Sequence, residues 1–221
     1  MYASHALAEP SVLIERVVAP PLDNNAYLVV DEKSHQAAIV DPALAGEELL
    51  GLSEKHGAKV LFILNTHGHP DPTADDDSIR KATGAKIAIF EIDAPRLEKN
   101  ARETRWFLPA PPPPVKPDLL LKEGSEIRVG DLVFRTMHTP GHTEGSACFH
   151  IPSEDALFTG DTLYAGSHGR TDTFGGSPAK MVFSLRRIRE LPDRTRVYPG
   201  HGPETALEKE SWLLDLMYPM L

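Results

Sequence analysis

Short apolar runs with the two-residue period of β-strands recur along most of the chain. They cover residues 12–18, 27–31, 37–41, 59–65, 86–90, 127–129, 132–137, 146–151, 156–159 and 196–198. Most of these runs are bounded by Gly, Pro, Asn or Asp, which favour turns. The first three runs predict an antiparallel meander, and the remaining ones predict further strands of a sheet-rich fold.

Apolar residues at helical spacing lie between these runs. The spacing predicts helices over residues 47–56 and 73–83, a helix that begins after Ser177 and ends before Pro192, and a C-terminal helix from about Glu204. Ser177 is a favourable N-cap, and Pro178 suits the first helical position. A strand, a helix and a strand in succession favour an α/β protein. Residues 109–114, which include five prolines, predict an exposed polyproline II connector.

Length and composition indicate the class of protein. With 221 residues and 41% apolar content, we expect a single domain over residues 1–221 that is a monomer or a homodimer. The net charge is −9 and no stretch is dense in Lys and Arg, which favours a small-molecule substrate over nucleic acid. The sequence contains no run of about 20 apolar residues and no leader-like start, so we expect a cytoplasmic protein without membrane contact.

Candidate metal ligands follow directly after several of the predicted strands. The run at 66–72 reads Thr-His-Gly-His-Pro-Asp-Pro, and three later turns are Gly141-His142, Gly160-Asp161 and Gly200-His201. Loops at the ends of neighbouring strands can converge on one point, and the adjacent glycines permit sharp turns. The only cysteine, Cys148, lies within a strand and predicts a core thiol. Any metal would therefore be held by His and carboxylate side chains.

The chemistry of these side chains predicts a hydrolytic centre. His67, His69 and His142 can supply three neutral nitrogens to one Zn²⁺ and leave a fourth position for water or hydroxide. Asp161 is suited to bridging two ions, and Asp71 and His201 would serve a second one. Asp71 would also orient a metal-bound hydroxide or accept its proton, which makes it the candidate catalytic residue.

The same motifs, in this order and across nearly the whole chain, resemble the metallo-β-lactamase superfamily and its glyoxalase II-like (hydroxyacylglutathione hydrolase-like) branch. The resemblance implies a four-layer αβ/βα sandwich with a metal site at one edge. It also implies one or two Zn²⁺ ions, with Fe²⁺ or Mn²⁺ as alternatives. Asp161 at the bridging position resembles the glyoxalase branch and differs from β-lactamases that use a cysteine ligand.

Pro72 departs from the family motif His-x-His-x-Asp-His, whose last histidine normally binds the second metal. Proline offers no donor atom, so we expect a weakened second site. Asp71 as N-cap and Pro72 as first residue of the helix near Thr73 would make the substitution compatible with the fold. Asp75 or Asp76, His168, or additional waters could replace the missing ligand.

The residues predicted to contact substrate are fewer. Arg170 stands where glyoxalase II-like enzymes often carry a basic residue, and it could bind an anionic substrate or pair with Asp172. His168 lies on the same loop, which the resemblance places at the substrate pocket. Tyr164, Trp106 and Phe107 could form a pocket wall or belong to the core. Because the given sequence ends soon after His201, without the helical extension that helps full-length glyoxalase II to bind glutathione, the resemblance does not extend to specificity for glutathione.

Three functions are consistent with this sequence. The leading prediction is a metal-dependent hydrolase of a thioester or related ester. A mononuclear iron persulfide dioxygenase, using the equivalents of His67, His142 and Asp161, resembles the same scaffold and would tolerate Pro72. The third is a catalytically impaired member that still binds metal.

Overall fold

The computed structural model describes residues 12–99 and 111–216. They form two six-stranded sheets with the strand orders β1-β2-β3-β4-β5-β6 and β12-β11-β10-β9-β8-β7. The first sheet and its helices comprise β1 Val12–Ala19, β2 Asn24–Asp31, β3 Gln36–Val40, α1 Gly46–Lys55, β4 Lys59–Asn65, α2 Asp76–Thr83, β5 Lys86–Phe90, α3 Ala94–Lys99 and β6 Leu119–Leu121. The second comprises β7 Glu126–Val129, β8 Leu132–His138, β9 Ala147–Ile151, β10 Ala156–Gly160, α4 Pro178–Arg189, β11 Arg196–Pro199 and β12 Thr205–Ala206.

Successive side chains along a strand point to opposite faces of the sheet, and the core is therefore divided into three apolar layers. In β2, Tyr27 and Val29 face the second sheet, whereas Leu28 faces the helices that cover the first sheet. Phe158 of β10 packs edge-to-face on Tyr27, with ring centroids 5.3 Å apart. On the other side of the second sheet, Leu157 packs with α4. The order is helix, sheet, sheet, helix, which confirms the predicted four-layer αβ/βα sandwich.

Most of the predicted elements are present, and α4 begins as expected. The Ser177 side chain accepts a hydrogen bond from the backbone N–H of Lys180, and Pro178 is the first helical residue. Residues 111–114 adopt neither helix nor strand, as predicted for the proline-rich connector, but Pro112 is buried, so this part is not exposed throughout. Residues 109 and 110 lie outside the described residues, as do Trp106 and Phe107. No helix within residues 12–99 and 111–216 is long and apolar enough to cross a membrane.

Two helix predictions are wrong in detail. α2 begins at Asp76, not near Thr73, so Asp71 is not its N-cap and Pro72 is not its first residue. The reason is a turn in which the Pro72 carbonyl accepts a hydrogen bond of 2.8 Å from the Ala43 N–H. The hydroxyl of Thr73 also donates to the His69 carbonyl at 2.8 Å, which holds this turn closed.

The predicted C-terminal helix from Glu204 is also wrong. Residues 205–206 form β12, which pairs with β11, and short 3-10 turns follow at Leu207–Lys209 and Ser211–Leu214. The Glu210 carboxylate accepts hydrogen bonds from the Thr205 hydroxyl, the Trp212 indole and the Gly166 N–H. These contacts pack the segment against the loop after β10 and prevent a continuous helix. The sequence prediction also lacked the short elements β6 and α3.

Candidate metal centre

Four strand ends deliver the predicted ligands to one edge of the sandwich. β4 ends at Asn65, just before His67 and His69, and β8 is followed by the turn that carries His142. β10 and β11 are parallel neighbours, and Asp161 and His201 follow them. The turn after β10 requires Gly160, whose φ is +47° and whose Cα lies against the Thr66 side chain.

The three histidines His67, His69 and His142 surround one point. Their ring centroids are 4.6–4.9 Å apart and their planes are nearly perpendicular to one another. One nitrogen from each ring lies within 4.8 Å of the others. His67 and His142 are buried, and His69 is partly exposed. This arrangement can hold one metal ion on three imidazoles and leave its outer side open to the pocket.

Hydrogen bonds orient two of these rings. The Thr66 hydroxyl donates to Asp41 Oδ2 at 2.7 Å, so its oxygen can accept the Nδ1–H of His67 at 3.1 Å. His142 Nδ1 donates to the Arg170 carbonyl at 2.8 Å. Both rings therefore direct Nε2 towards the shared point, as metal-binding histidines with a second hydrogen-bond partner do, and there His142 Nε2 lies 2.8 Å from another candidate ligand atom, His69 Nδ1. His67 Nε2 is buried and has no hydrogen-bond partner among the described residues.

Burial keeps the imidazoles of His67 and His69 neutral. It lowers the pKa of His67 well below the usual value, and the neighbouring His142 and His69 lower it further. The pKa of His69 falls to about 3 for the same reason, with added contributions from His142 and Arg96. Neutral rings keep their lone pairs, which is the form that binds a metal ion. Beneath them, burial raises the pKa of Asp41 to about 7.

Asp71, Asp161 and His201 form a second group beside the three histidines. Asp161 Oδ2 lies 3.3 Å from His142 Nε2 and 3.8 Å from His201 Nε2, so it stands between the two groups. Asp71 Oδ2 accepts a hydrogen bond of 2.8 Å from the Asn24 amide. The pKa of Asp71 is raised by burial and by the Asp161 carboxylate. The structure therefore brings all six predicted ligands to one region.

The side chains considered as replacements for a histidine at position 72 lie elsewhere. Asp75 Oδ2 accepts the Gly46 N–H at 2.8 Å, and Asp76 Oδ2 accepts the Asn65 amide at 2.7 Å. His168 is exposed, its ring centroid lies 6.3 Å from that of Trp212, and Nδ1 donates to the Gly169 carbonyl. None of these three contacts the second group in the structure.

A cavity of about 390 Å³ opens onto both groups. It is lined by His69, Asp71, His142 and Asp161 and by Leu22, Pro70, Arg96, Arg170, Thr173 and Phe174. Arg170 is exposed and forms a two-pronged ion pair with Asp172, at 2.9 and 3.1 Å. Arg96 is more enclosed, because its side chain is only 15% exposed. Its guanidinium donates to the Phe174 carbonyl at 2.8 Å.

Comparison with known proteins identifies the family. The sequence profile described as "Metallo-beta-lactamase superfamily" matches residues 19–201. This chain belongs to that superfamily. Superfamily members bind divalent metals, and the cluster of His67, His69 and His142 gives this member a place for one.

Relatives within the superfamily include named hydrolases. A hydroxyacylglutathione hydrolase of Rhodospirillum rubrum is 37% identical over 179 residues, which is 81% of this chain and 62% of that protein. This chain thus spans less than two thirds of the length of that relative. A probable metallo-hydrolase of Bacillus subtilis, YqgX, is 30% identical over 192 residues, which is 86% of this chain and 90% of that protein. The chain is accordingly a metallo-hydrolase with glyoxalase II-like relatives.

Solved structures of the superfamily superpose closely. The BLEG-1 B3 metallo-β-lactamase has a TM-score of 0.84 and 31% identity, covering 91% of this chain and 99% of its own. TTHA1623 in a di-iron-bound form has a TM-score of 0.76 and 37% identity, covering 89% and 96%. These likenesses confirm the metallo-β-lactamase fold.

Sequence reasoning missed three residues of this centre: Asn24, Asp93 and Arg96. Asp93 accepts the N–H groups of Gly68 and Gly145, at 2.8 and 3.0 Å, and so connects the loops that carry the three histidines. Arg96 packs against Gly68, where an added β-carbon would lie 2.8 Å from Arg96 Cβ. Gly68, between the two histidines of the motif, could have indicated Asp93 and Arg96, since a glycine there suggests the close approach of another element.

Proposed function

We propose that this protein hydrolyses a thioester or a related ester of a small acidic molecule, in the manner of glyoxalase II-like enzymes. The observation that carries the proposal is the cluster of three imidazoles, two of which, His69 and His142, line the 390 Å³ cavity. The hydroxyacylglutathione hydrolases among the relatives support the thioester class. The B3 β-lactamase name belongs to the similar structure and does not determine the substrate of this chain.

The donor set fits a divalent ion. His67 Nε2 is a buried nitrogen without a hydrogen-bond partner among the described residues, and two of the rings are fixed by hydrogen bonds to their other nitrogen. Three imidazole nitrogens with an open side suit Zn²⁺, and Fe²⁺ or Mn²⁺ would also be accepted. An ion held there supplies an activated water near neutral pH and polarises a carbonyl oxygen.

The remaining steps belong to residues of the chain. Asp71 faces the cavity and is positioned by the Asn24 amide, so its carboxylate can orient the attacking water and accept its proton. Arg96 places a positive charge in the cavity wall, where it can bind a carboxylate of the substrate. Leu22 and Phe174 provide apolar surface for the acyl or thiol portion.

The test is hydrolysis of a series of hydroxyacyl and acyl thioesters, followed by release of free thiol, together with metal content by mass spectrometry. His67→Ala should lose both the metal and the activity. His35→Asn is the matched control, because His35 lies in the turn between β2 and β3 with φ +53°, a conformation that asparagine adopts readily. An active, metal-free His67→Ala variant would overturn the proposal.

A second candidate, the mononuclear iron persulfide dioxygenase, is favoured by one distance. Asp161 Oδ2 lies 3.3 Å from His142 Nε2, so one ion could be held by His67, His142 and Asp161. Two histidines and one carboxylate with open positions are typical of non-haem Fe(II) oxygenases. Iron in the purified protein and oxygen consumption with glutathione persulfide would select this function over hydrolysis. Thiol release without oxygen uptake would exclude it, and bound metal with neither reaction would indicate the impaired member.

A further inference from the structure

The Asn24 side chain lies between two of the predicted ligands of the second group. Asn24 is the first residue of β2, is 6% exposed and pairs with His201 through an isolated antiparallel bridge. Its Nδ2 donates to Asp71 Oδ2 at 2.8 Å and lies 3.5 Å from His201 Nε2. Because an amide nitrogen carries two hydrogens, it can serve both acceptors at once.

The tautomer of His201 supports this assignment. His201 Nδ1 lies 3.1 Å from the Leu22 carbonyl, which can only accept, so Nδ1 carries the proton. Nε2 is then the nitrogen with the free lone pair, and it is the one that faces Asn24. The Nε2 lone pair of His201 and one carboxylate oxygen of Asp71, Oδ2, therefore both face one uncharged N–H₂ group.

The rest of the second group is short of donors for an ion. Pro72 has no side-chain donor atom, and Asp75 and Asp76 are hydrogen-bonded elsewhere. Of the predicted ligands, Asp71, Asp161 and His201 remain for a second ion. An ion entering this group would have to displace the Asn24 amide from Asp71 and His201 and would gain no new ligand in return.

We propose that Asn24 is a positioning residue whose amide takes the place of a second metal ion at Asp71 and His201, so that the protein works with one ion. The inference rests on the proposed function, since it assigns the single ion to His67, His69 and His142. It goes beyond that function by naming the residue that sets the number of ions. Asn24 also holds the Asp71 carboxylate in position without a second cation.

The experiment is a Zn²⁺ titration of the metal-free full chain, with bound ions counted by mass spectrometry. The parent should bind one ion tightly. Asn24→Asp replaces the N–H₂ group by an anionic oxygen and should bind a second ion at least tenfold more tightly than the parent. Gly51→Asp is the matched control, because position 51 is exposed on α1 and a β-carbon there meets nothing within 4 Å. It adds the same charge and should still bind one ion.

Asn24→Ala distinguishes an amide that competes with the second ion from an amide that binds this ion as a ligand. If the amide competes with the second ion, its removal should tighten the binding of that ion and lower the melting temperature of the metal-free protein. If the amide oxygen were a ligand, Asn24→Ala would instead weaken the second ion, and the proposal would be wrong. If Asn24→Asp fails to fold, Asn24→Ala alone decides between the two roles.

The failure of this inference is distinguishable from the failure of the proposed function. A parent protein that binds two Zn²⁺ ions with similar affinity and hydrolyses thioesters contradicts only the role of Asn24. A parent protein that binds no ion, or is active without one, contradicts the proposed function itself.

Discussion

Asp93 connects the two loops that carry the three histidines, and its replacement by asparagine should weaken both the fold and the metal site. The side chain is 1% exposed. Asp93 Oδ2 accepts the Gly68 N–H at 2.8 Å and the Thr143 hydroxyl at 2.7 Å. Asp93 Oδ1 accepts the Gly145 N–H at 3.0 Å and lies 3.4 Å from Arg96 Nε. One carboxylate thus holds donors from two segments that are far apart in sequence.

The expected loss in the free energy of unfolding follows from the number of donors that Asp93 accepts. In Asp93→Asn, the amide oxygen can replace only one carboxylate oxygen, so one buried N–H, that of Gly68 or Gly145, faces the new N–H₂ group. An unsatisfied buried donor costs about 1–3 kcal/mol, and each remaining bond loses its charge assistance, at roughly 0.5–1 kcal/mol. We expect a loss of about 3 kcal/mol in the free energy of unfolding. Because displaced supporting contacts loosen the ligands, Zn²⁺ affinity should fall about 10–100-fold.

The assay is urea unfolding of the metal-free protein at pH 7, with a separate competition titration for Zn²⁺. Asp131→Asn is the control, because Asp131 is an exposed carboxylate paired with Lys33 at 3.3 Å, and its loss should change stability by about 0.5 kcal/mol or less. If Asp93→Asn unfolds within about 1 kcal/mol of the parent with an unchanged m-value, Asp93 does not connect the two loops energetically.

Three further predictions concern the cavity, the core thiol and the turn after β10. Arg96→Met should raise the KM of an anionic substrate about tenfold with little change in kcat, corresponding to about 1.4 kcal/mol. Arg170→Met should change the KM less, because Arg170 is exposed and two of its nitrogens donate to Asp172, whereas Asp93 contacts Arg96 only at Nε. Equal effects in steady-state assays would contradict this. Cys148 is fully buried, which raises its pKa to about 11, so native protein should not react with a thiol reagent at pH 8. In the unfolded chain the thiol ionises near its ordinary pKa of about 8.5–9, whereas in the folded protein it stays neutral. The free energy of unfolding should therefore fall as pH rises from about 9 to 11. Urea titrations of Cys148→Ala should lack this pH-dependent fall. Gly160→Ala should destabilise the protein by about 2–4 kcal/mol in the same titrations, because φ is +47° and the new methyl group would meet the Thr66 side chain. A loss below about 1 kcal/mol would show that the turn adapts.

The strands could be predicted from sequence because their signal is local. Residues 59–65 and 86–90 are short, apolar and bounded by turn residues, and they coincide with β4 and β5. The placement of ligands after strand ends was equally visible, because each follows a strand and lies next to or near a glycine. β6 has three residues and α3 has six, which are too few for the two-residue period of a strand or the 3.6-residue period of a helix to be recognised.

The start of α2 could not be predicted because a distant residue determines it. Asp71 and Pro72 fit the local rules for a helix start, and those rules favour a helix from Thr73. The structure instead places them in a turn, where the Pro72 carbonyl binds the Ala43 N–H, a contact over 29 residues of sequence. The roles of Asn24 and Asp93 have the same origin, since their partners at Asp71 and at Gly145 lie 47 and 52 residues away. Local propensity carries no information about such pairs.

The two groups of ligands are supported in different ways, and this difference bears on how the centre works. His67 is fixed from behind through Thr66 and Asp41, and His142 through the Arg170 carbonyl, so both direct Nε2 to one point. The near-side neighbour of His142 Nε2, at 2.8 Å, is His69 Nδ1, which is itself a candidate ligand atom. Asp71 Oδ2 and His201 Nε2 instead face the amide of Asn24, which is not a predicted ligand, at 2.8 and 3.5 Å. Supporting bonds on the far side of a ligand favour metal binding, whereas a donor on its near side competes with it. We therefore expect an ion to occupy the three-histidine group first, which is consistent with the role proposed for Asp71 as the carboxylate that accepts the proton.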